Sequence, residues 1–429
     1  MSVSPQVRIE SIIRSLKENG VQAAPIAEAL DLATTHPNAV IDLAIAVLRE
    51  YPKGGTFLDD ALSYLPQEKW PDIVSTALDT LEQSGKNDAA SSIIEYASLQ
   101  SPTALHSQLD RIFLLQPNES CYFECDPWRE SGGRHFDFLR NVIEQSTSSD
   151  DERSRAWSAL FETRHTMLID YAIRVAADIT RANWSLEDWV QCHLHRVGFQ
   201  MVNESFQRIT PDLCYHLQFP DEIFESQIRP FWLERVHQTW KLTDSIQPIP
   251  FGGLSEGLCS LCGKMLHRLL ILDPIPPGLG ITQMKRLEIA TCLSCLGWER
   301  MPLFYQHQED GPPRNIGYDG STVKPKIPAG PLRESTIGLA PTPRRWYWQS
   351  WGSSNGRQNM NRIGGEPCWV QDAHYPNCPT CLKLMPFLFQ LDSNLPRADD
   401  GEWLWGSGGC GYGFWCDKCK VSGIHWQCT

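Results

Sequence analysis

Apolar residues in the first 240 positions recur at intervals of three and four, the spacing that gives a helix one buried face. After Trp70-Pro71, the side chains of Ile73, Ala77, Leu78 and Leu81 share such a face, and proline suits a first helical turn. Ser101-Pro102 is a second start, leading into Leu105, Leu109, Ile112 and Phe113. Ser149 is placed to cap a helix whose first turn carries Asp150, Asp151 and Glu152, acids that suit the positive end of the helix dipole. Its buried face is Ala156, Leu160 and Phe161. Thr163 leads into another helix with Met167, Leu168, Tyr171, Ala172 and Val175. Breaks at His36-Pro37-Asn38, Tyr51-Pro52-Lys53-Gly54-Gly55 and Gln116-Pro117-Asn118 keep these helices short.

Near Gln247-Pro248-Ile249-Pro250-Phe251-Gly252-Gly253 the helical period fades, and Gly, Pro, Trp and Cys become more frequent. Residues 311–345, with Gly311-Pro312-Pro313 and Pro341-Thr342-Pro343, read as an extended connector on the surface. From Arg344 to Thr429, short aromatic runs such as Trp346-Tyr347-Trp348 and Gly413-Phe414-Trp415 predict β-strands.

Composition changes this picture little. Hydrophobic residues are 41% and charged residues 21% of the 429, ordinary globular usage. The first twenty residues lack an uncharged apolar stretch behind a basic start. The most apolar run, Val40 to Leu48, contains Asp42 and is too short to span a bilayer. The expectation is a cytoplasmic protein with no membrane partner.

Charge is more informative. The net charge is −13. Residues 241–429 hold 18 Lys+Arg and 16 Asp+Glu, net +2, whereas residues 1–240 hold 20 and 35, net −15. An acidic N-terminal part favours a basic partner and repels polyanions, though the same charge also serves plain solubility.

The chemistry lies in the cysteines. Of 15, eight form Cys-x-x-Cys pairs: Cys259/Cys262, Cys292/Cys295, Cys378/Cys381 and Cys416/Cys419. Two intervening residues let one tight turn aim both sulfurs at a single ion, and two such turns complete a tetrahedron. A long chain without a secretion signal points such pairs to metal before disulfides. Joining neighbours leaves gaps of 29 and 34 residues, long enough to hold strands or a helix. Four turns can combine in three ways, and loop closure mildly favours neighbours. Two structural Zn²⁺ ions are expected, each in a closed four-thiolate shell with no open position for water. Cys410 and Cys428 flank the last pair as possible replacements. Cys121 and Cys125, with Cys192, His193 and His195, offer the elements of a third site.

The expected fold is therefore multidomain α and α+β. A helical domain covers 1–240, a zinc-ribbon-like segment and connector 241–330, and a domain rich in antiparallel strands, with the second zinc site, 331–429. The run of short helices is similar to HEAT-like repeats, which would make the first domain an α-solenoid, without a strict period; an irregular helical domain is the alternative. In the C-terminal part, Gly364-Gly365-Glu366-Pro367-Cys368-Trp369-Val370-Gln371 precedes Cys378-Pro379-Thr380-Cys381 and then Met385-Pro386-Phe387-Leu388-Phe389-Gln390-Leu391-Asp392. This order resembles the YwqG-like family of bacterial proteins over roughly residues 330–429. The resemblance implies an α+β domain dominated by antiparallel strands and no particular activity. Large bacterial proteins that join helical repeats to such domains look like toxin-neutralising immunity proteins or adaptors.

Three functions follow as expectations. The first is a non-enzymatic protein-binding role towards a basic partner, a toxin being one candidate, with Trp184, Trp189, Trp232 and Trp240 as interface anchors or core aromatics. The second is an enzyme using a pocket lined by Glu366, His374, Gln390 and Asp392. It lacks a nucleophile elbow, a His-Glu-x-x-His motif and a phosphate loop, since Gly406–Gly413 has no Lys-Ser/Thr and reads as a hairpin turn. The third is nucleic-acid binding through Arg344, Arg345, Trp346, Trp348, Arg357 and Arg362, which interleave charge with rings.

Overall fold

In the computed structural model, residues 3–54, 57–115, 126–179, 185–224, 235, 237–296, 302–317, 324–325 and 328–429 are described. They fall into two compact units: Met1–Val197 with Pro230–Trp232, and Gly198–Arg229 with Leu233–Thr429. Among the described residues, no helix is long and apolar enough to cross a membrane.

The described elements of the first unit are helices. They are α1 (Pro5–Asn19), α2 (Ala23–Thr35), α3 (Val40–Glu50), α4 (Asp59–Leu62), α5 (Trp70–Ser84), α6 (Asp88–Gln100), α7 (Leu109–Leu114), α8 (Phe136–Glu144), α9 (Asp150–Glu162), α10 (Thr166–Val175) and α11 (Leu186–Arg196). In α5 the predicted stripe of Ile73, Ala77, Leu78 and Leu81 is buried, and α5 packs on α6. Ser149 caps α9 in a full capping box: its hydroxyl accepts from the Glu152 amide, and the Glu152 carboxylate accepts from the Ser149 amide. Two expectations fail locally. Pro102 begins a 3-10 turn (Pro102–Ala104) and not the helix itself. Met167, placed on a buried stripe by the sequence, is 73% exposed, because α10 starts at Thr166 and turns Leu168, Ile169 and Ala172 inward.

Strands begin at 199, inside the span expected to be helical. They are β1 (Phe199–Val202), β2 (Ser205–Arg208), β3 (Cys214–Gln218), β4 (Gln247–Phe251), β5 (Leu254–Leu258), β6 (Met265–Leu272), β7 (Leu287–Thr291), β8 (Leu303–Gln306), β9 (Arg314–Ile316), β10 (Ser335–Pro341), β11 (Arg362–Gly364), β12 (Phe387–Asp392), β13 (Leu395–Pro396), β14 (Glu402–Trp403), β15 (Cys410–Cys416) and β16 (Val421–Gln427). Twelve of them form one sheet in the order β5-β6-β4-β10-β3-β11-β12-β15-β16-β8-β9, with β7 also on β6; its pairs are antiparallel. β4 and β5 lie in line along β6, as Phe251 pairs with Leu270 and Leu254 with His267.

This sheet redraws the expected boundaries. β3, from the 1–240 span, sits at its middle, and β10, from the presumed connector, lies beside β3. The 241–330 and 331–429 segments share the one sheet. Trp346-Tyr347-Trp348 is not a strand: Arg344–Trp346 is a 3-10 turn. Gly406–Gly413 is not a hairpin turn either, since β14 pairs with β13 and β15 pairs with β12 and β16.

One face of the sheet is apolar: Leu217, Ile363, Phe389, Leu391, Trp415, Ile424 and Trp426 belong to a single core cluster. The opposite face carries a second cluster with Phe387, Tyr412 and Phe414. A polar row also crosses this face. His216 pairs with Arg362, Arg362 with Gln390, Gln390 with Tyr412, and Tyr412 with His425.

Candidate metal centres

The eight cysteines of the four short turns gather into two groups. Within each, the four sulfurs lie within 4.8 Å of one another: Cys259, Cys262, Cys292 and Cys295 in the first centre, and Cys378, Cys381, Cys416 and Cys419 in the second. Neighbours in sequence therefore pair, the choice among three that loop closure favours.

Strand geometry makes the first centre. Cys259 follows β5 and Cys262 precedes β6, so the Cys-x-x-Cys turn closes the β5–β6 ribbon. The Cys259 amide donates to Lys264 O (2.7 Å) and the Gly263 amide to Cys259 O (2.8 Å). Gly263, at φ +72°, takes the left-handed conformation that this turn requires and that costs glycine nothing. The second turn follows β7, where the Leu296 amide donates to Cys292 O (2.8 Å).

The second centre repeats the device. The Cys378 amide donates to Lys383 O and the Leu382 amide to Cys378 O, both at 2.8 Å. Cys416 and Cys419 close the β15–β16 hairpin, whose last rung pairs Cys416 with Val421. Leu382 (φ +59°) and Lys420 (φ +54°) occupy the position that Gly263 holds in the first centre.

The spacing fits a tetrahedral ion. With sulfurs about 2.3 Å from a zinc, neighbouring sulfurs stand about 3.8 Å apart. The sulfurs stand 3.9 Å apart for Cys259–Cys295, 3.6 Å for Cys262–Cys292 and 3.7 Å for Cys381–Cys416. A disulfide needs about 2.05 Å, and all eight cysteines are free.

Their ionisation is uneven. Hydrogen bonds from Cys292 and Cys295 hold the Cys259 thiol low, and those same bonds, with burial, raise Cys292 and Cys295. Burial opposes ionisation of Cys381, but the Lys383 amide and the three neighbouring sulfurs outweigh it and bring its pKa to about 7. Burial raises Cys416 and Cys419. An ion bound at either centre would have to displace protons from the thiols that burial raises.

A buried histidine supports the first centre. His267 Nδ1 accepts from the Leu293 amide (3.1 Å), so Nε2 carries the proton and donates to Ala329 O (3.2 Å). Burial lowers its pKa, which keeps the ring neutral. Nothing in the sequence separated His267 from any other histidine, because its partners Leu293 and Ala329 lie 26 and 62 residues further along the chain.

The other candidates scatter. Cys410 is buried with its sulfur 3.9 Å from Asp392 Oδ1, and neither it nor Cys428 joins a centre. Cys192, His193 and His195 lie on α11 but do not converge: His193 Nε2 faces Ser158 Oγ at 3.3 Å and His195 Nε2 faces the Gln191 amide at 2.6 Å. Cys121, Cys125, Trp184 and Trp232 lie outside the described residues. Trp189 stacks on Trp157 at 3.9 Å, and Trp240 packs on the sheet core; both act as packing aromatics. Trp346, Trp348 and Arg362 are buried, so the interleaved arginines and rings do not form the exposed stacking platform that single strands need.

The residues of the expected pocket are engaged with the chain around them: Asp392, for one, accepts from the Gly356 amide (3.3 Å) and the Ser393 amide (2.8 Å). Glu366 accepts from Trp348 Nε1 (3.1 Å) and lies 3.6 Å from Arg208. His374 lines an open cavity of about 630 Å³ with Gln371, Asp372, His425 and Gln427. The glutamine amides there already bond to the chain: Gln371 to Cys428 O, and Gln427 to Asp372 O and the Gln371 amide.

Gln390 belongs to the polar row, whose side chains hold the irregular segments that cover this face. Gln390 donates to Met360 O and accepts from the Cys368 amide. Arg362 donates to Tyr347 O, Tyr412 to Cys368 O, and His425 bonds to His374 O. Buried coil has no ladder to satisfy its backbone, and the row supplies the partners. The Gly364-Gly365 bend that the resemblance singled out is sterically demanding: a Cβ on Gly364 would stand 2.2 Å from Leu213 O.

Fold and site together define a protein with a helical unit and an antiparallel-sheet unit that carries two four-cysteine centres able to hold metal. No family model matches the chain, and no solved structure matches it. A protein of Salmonella typhimurium described as "Uncharacterized protein YpfL" is 41% identical over 71 residues. That match covers 16% of this chain and only 15% of the relative's length.

Proposed function

We propose that the chain is a cytoplasmic, non-enzymatic protein-binding protein whose sheet unit is braced by two structural Zn²⁺ ions. The helical unit, read as a HEAT-like solenoid, would receive a basic partner. The observation that carries the reading is the closure of both centres: each brings four sulfurs within 4.8 Å of one another, with no imidazole or carboxylate among them. Such a shell saturates zinc and leaves no place for a reacting water.

Charge supports the nature of the partner. Residues 1–197 hold 17 Lys+Arg and 29 Asp+Glu, net −12, while 198–429 hold 21 and 22, net −1. The acidity thus sits almost wholly in the helical span, where it would speed encounter with a basic surface. The YwqG-like resemblance and this charge fit an immunity protein that neutralises a basic bacterial toxin, or an adaptor.

Purified protein should carry two equivalents of zinc, measured by elemental analysis. Affinity purification from the native cell should retain a basic protein that moderate salt releases. A metal-free folded protein, or salt-sensitive binding of mixed DNA and RNA in place of a protein, would overturn it.

A further inference from the structure

We propose that the two cysteine centres are coupled and fill with metal cooperatively, through contacts that tie the turns of one to the other. The inference rests on the metal reading above and goes beyond it. Three links, all within the sheet unit, carry it.

The first is β8. Tyr305 and Gln306 are consecutive, so their side chains leave opposite faces of the strand. Tyr305, fully buried, accepts from the Cys292 amide at 3.0 Å through its hydroxyl oxygen, which also lies 2.9 Å from Thr291 Oγ1. Gln306 Nε2 donates to Cys419 O at 2.7 Å and reaches Lys420 O at 3.2 Å. One short strand thus holds a ligand turn of each centre.

The second link is Asp417, between the ligands Cys416 and Cys419. Its carboxylate accepts from the Thr282 amide (2.9 Å), the Thr282 hydroxyl, the Gln283 amide (3.2 Å) and Trp415 Nε1 (3.1 Å). Thr282 and Gln283 lie in the long connection whose two ends carry Cys262 and Cys292. A turn of the second centre therefore anchors the far end of the β6–β7 ribbon, whose near end carries Cys262 and Cys292. The third link is Trp426 on β16, whose indole donates to Leu296 O at 2.8 Å, next to the ligand Cys295.

An ion at the second centre fixes the Cys416–Cys419 turn, and with it Asp417 and the backbone that Gln306 grips. That steadies the β6–β7 ribbon and the strand β8 that hold the turns of the first centre, so the first site no longer bears that ordering cost alone. Thermodynamic reciprocity makes the effect equal in both directions.

Metal-free full-length protein, prepared with reduced thiols, is titrated with zinc and read by native mass spectrometry. At one equivalent of zinc per chain, the metal-free and two-metal forms should dominate, with the one-metal form depleted about two- to sevenfold against a statistical distribution. Asp417→Ala removes a link but no ligand, and the one-metal form should rise. Gln306→Ala should act in the same direction, which guards against an Asp417 variant that fails to fold. A statistical distribution in the unaltered protein overturns the coupling while leaving two metal sites intact. Failure to take up any zinc overturns the metal reading and the coupling with it.

Discussion

The helical unit and the sheet unit solve the same problem by different means. In the helical unit, apolar stripes pack helix on helix, and the polar backbone is satisfied inside each helix except at its ends, where caps such as Ser149 serve. The sheet unit must bury long irregular segments whose backbone has no ladder of its own. It does so with a polar row on one face of the sheet and with turns gathered at two cysteine centres. Stability is thus local and distributed in one unit, and concentrated at a few cross-sheet points in the other.

Removing metal should expose that difference most strongly. Structural zinc contributes on the order of 10 kcal/mol of folding free energy per site in small modules. Chelation, or Cys378→Ser with Cys381→Ser, should abolish the sheet unit's unfolding transition, followed by tryptophan fluorescence, while the helical circular-dichroism signal survives. If both transitions persist unchanged in metal-free protein, the sheet unit does not depend on its centres.

Acid should separate the units next. Burial lowers the pKa of His216 to about 3, of His307 to about 3 and of His425 to about 4; the Arg362 charge also depresses His216. An unfolded imidazole titrates near 6.5. The unfolded chain therefore binds more protons between roughly pH 6.5 and 4, and folding stability falls as pH falls through that window. Each histidine contributes about 1.4 kcal/mol per pH unit, or about 4 kcal/mol per unit for the three together. Protonation of the cysteine ligands adds to the loss. The sheet unit should unfold well before the helical unit in an acid titration; simultaneous loss, or loss of the helices first, would contradict the assignment of these buried neutral rings.

The contrast also explains what the sequence disclosed. In α5 and α9, helical spacing and capping residues speak for themselves, because their causes lie within a few positions. The eight cysteines of the two centres were legible for the same reason: Cys-x-x-Cys is a local device. β3 was not legible. Cys214–Gln218 is a five-residue strand buried over its first four residues, which lacks the alternation of a half-exposed strand, and its partners β10 and β11 lie more than a hundred residues away. Tyr305, His267 and Asp417 matter through contacts that reach 13, 26 and 135 residues along the chain, and no spacing rule marks them. The presumed connector failed as a prediction because Ser335–Pro341 is short and proline-flanked, yet it pairs on both sides.

A core truncation in the helical unit is the next smaller effect and should leave the centres untouched. Leu78→Ala removes a fully buried side chain from the α5 stripe, which costs about 2–5 kcal/mol in well-packed cores. The helical transition should move to lower temperature while zinc content stays the same. A loss of zinc in this variant would show that the two units do not keep separate accounts of their stability.

The smallest effect compares the two centres with each other. Gly263 and Leu382 fill the same left-handed position, yet only one of them adopts it without strain. For a residue with a Cβ that conformation costs roughly 1–2 kcal/mol, and the extra freedom of glycine in the unfolded chain returns roughly half of it. Leu382 is 77% exposed, so truncating it sacrifices little packing. Leu382→Gly should therefore strengthen the second centre by about 0.5 kcal/mol, seen as a modest rise in the chelator concentration needed to strip that site. Gly263→Leu should weaken the first centre by a similar or larger amount. If Leu382→Gly loosens the second centre instead, its exposed side chain does something the backbone argument omits, and the two centres are not built to one plan.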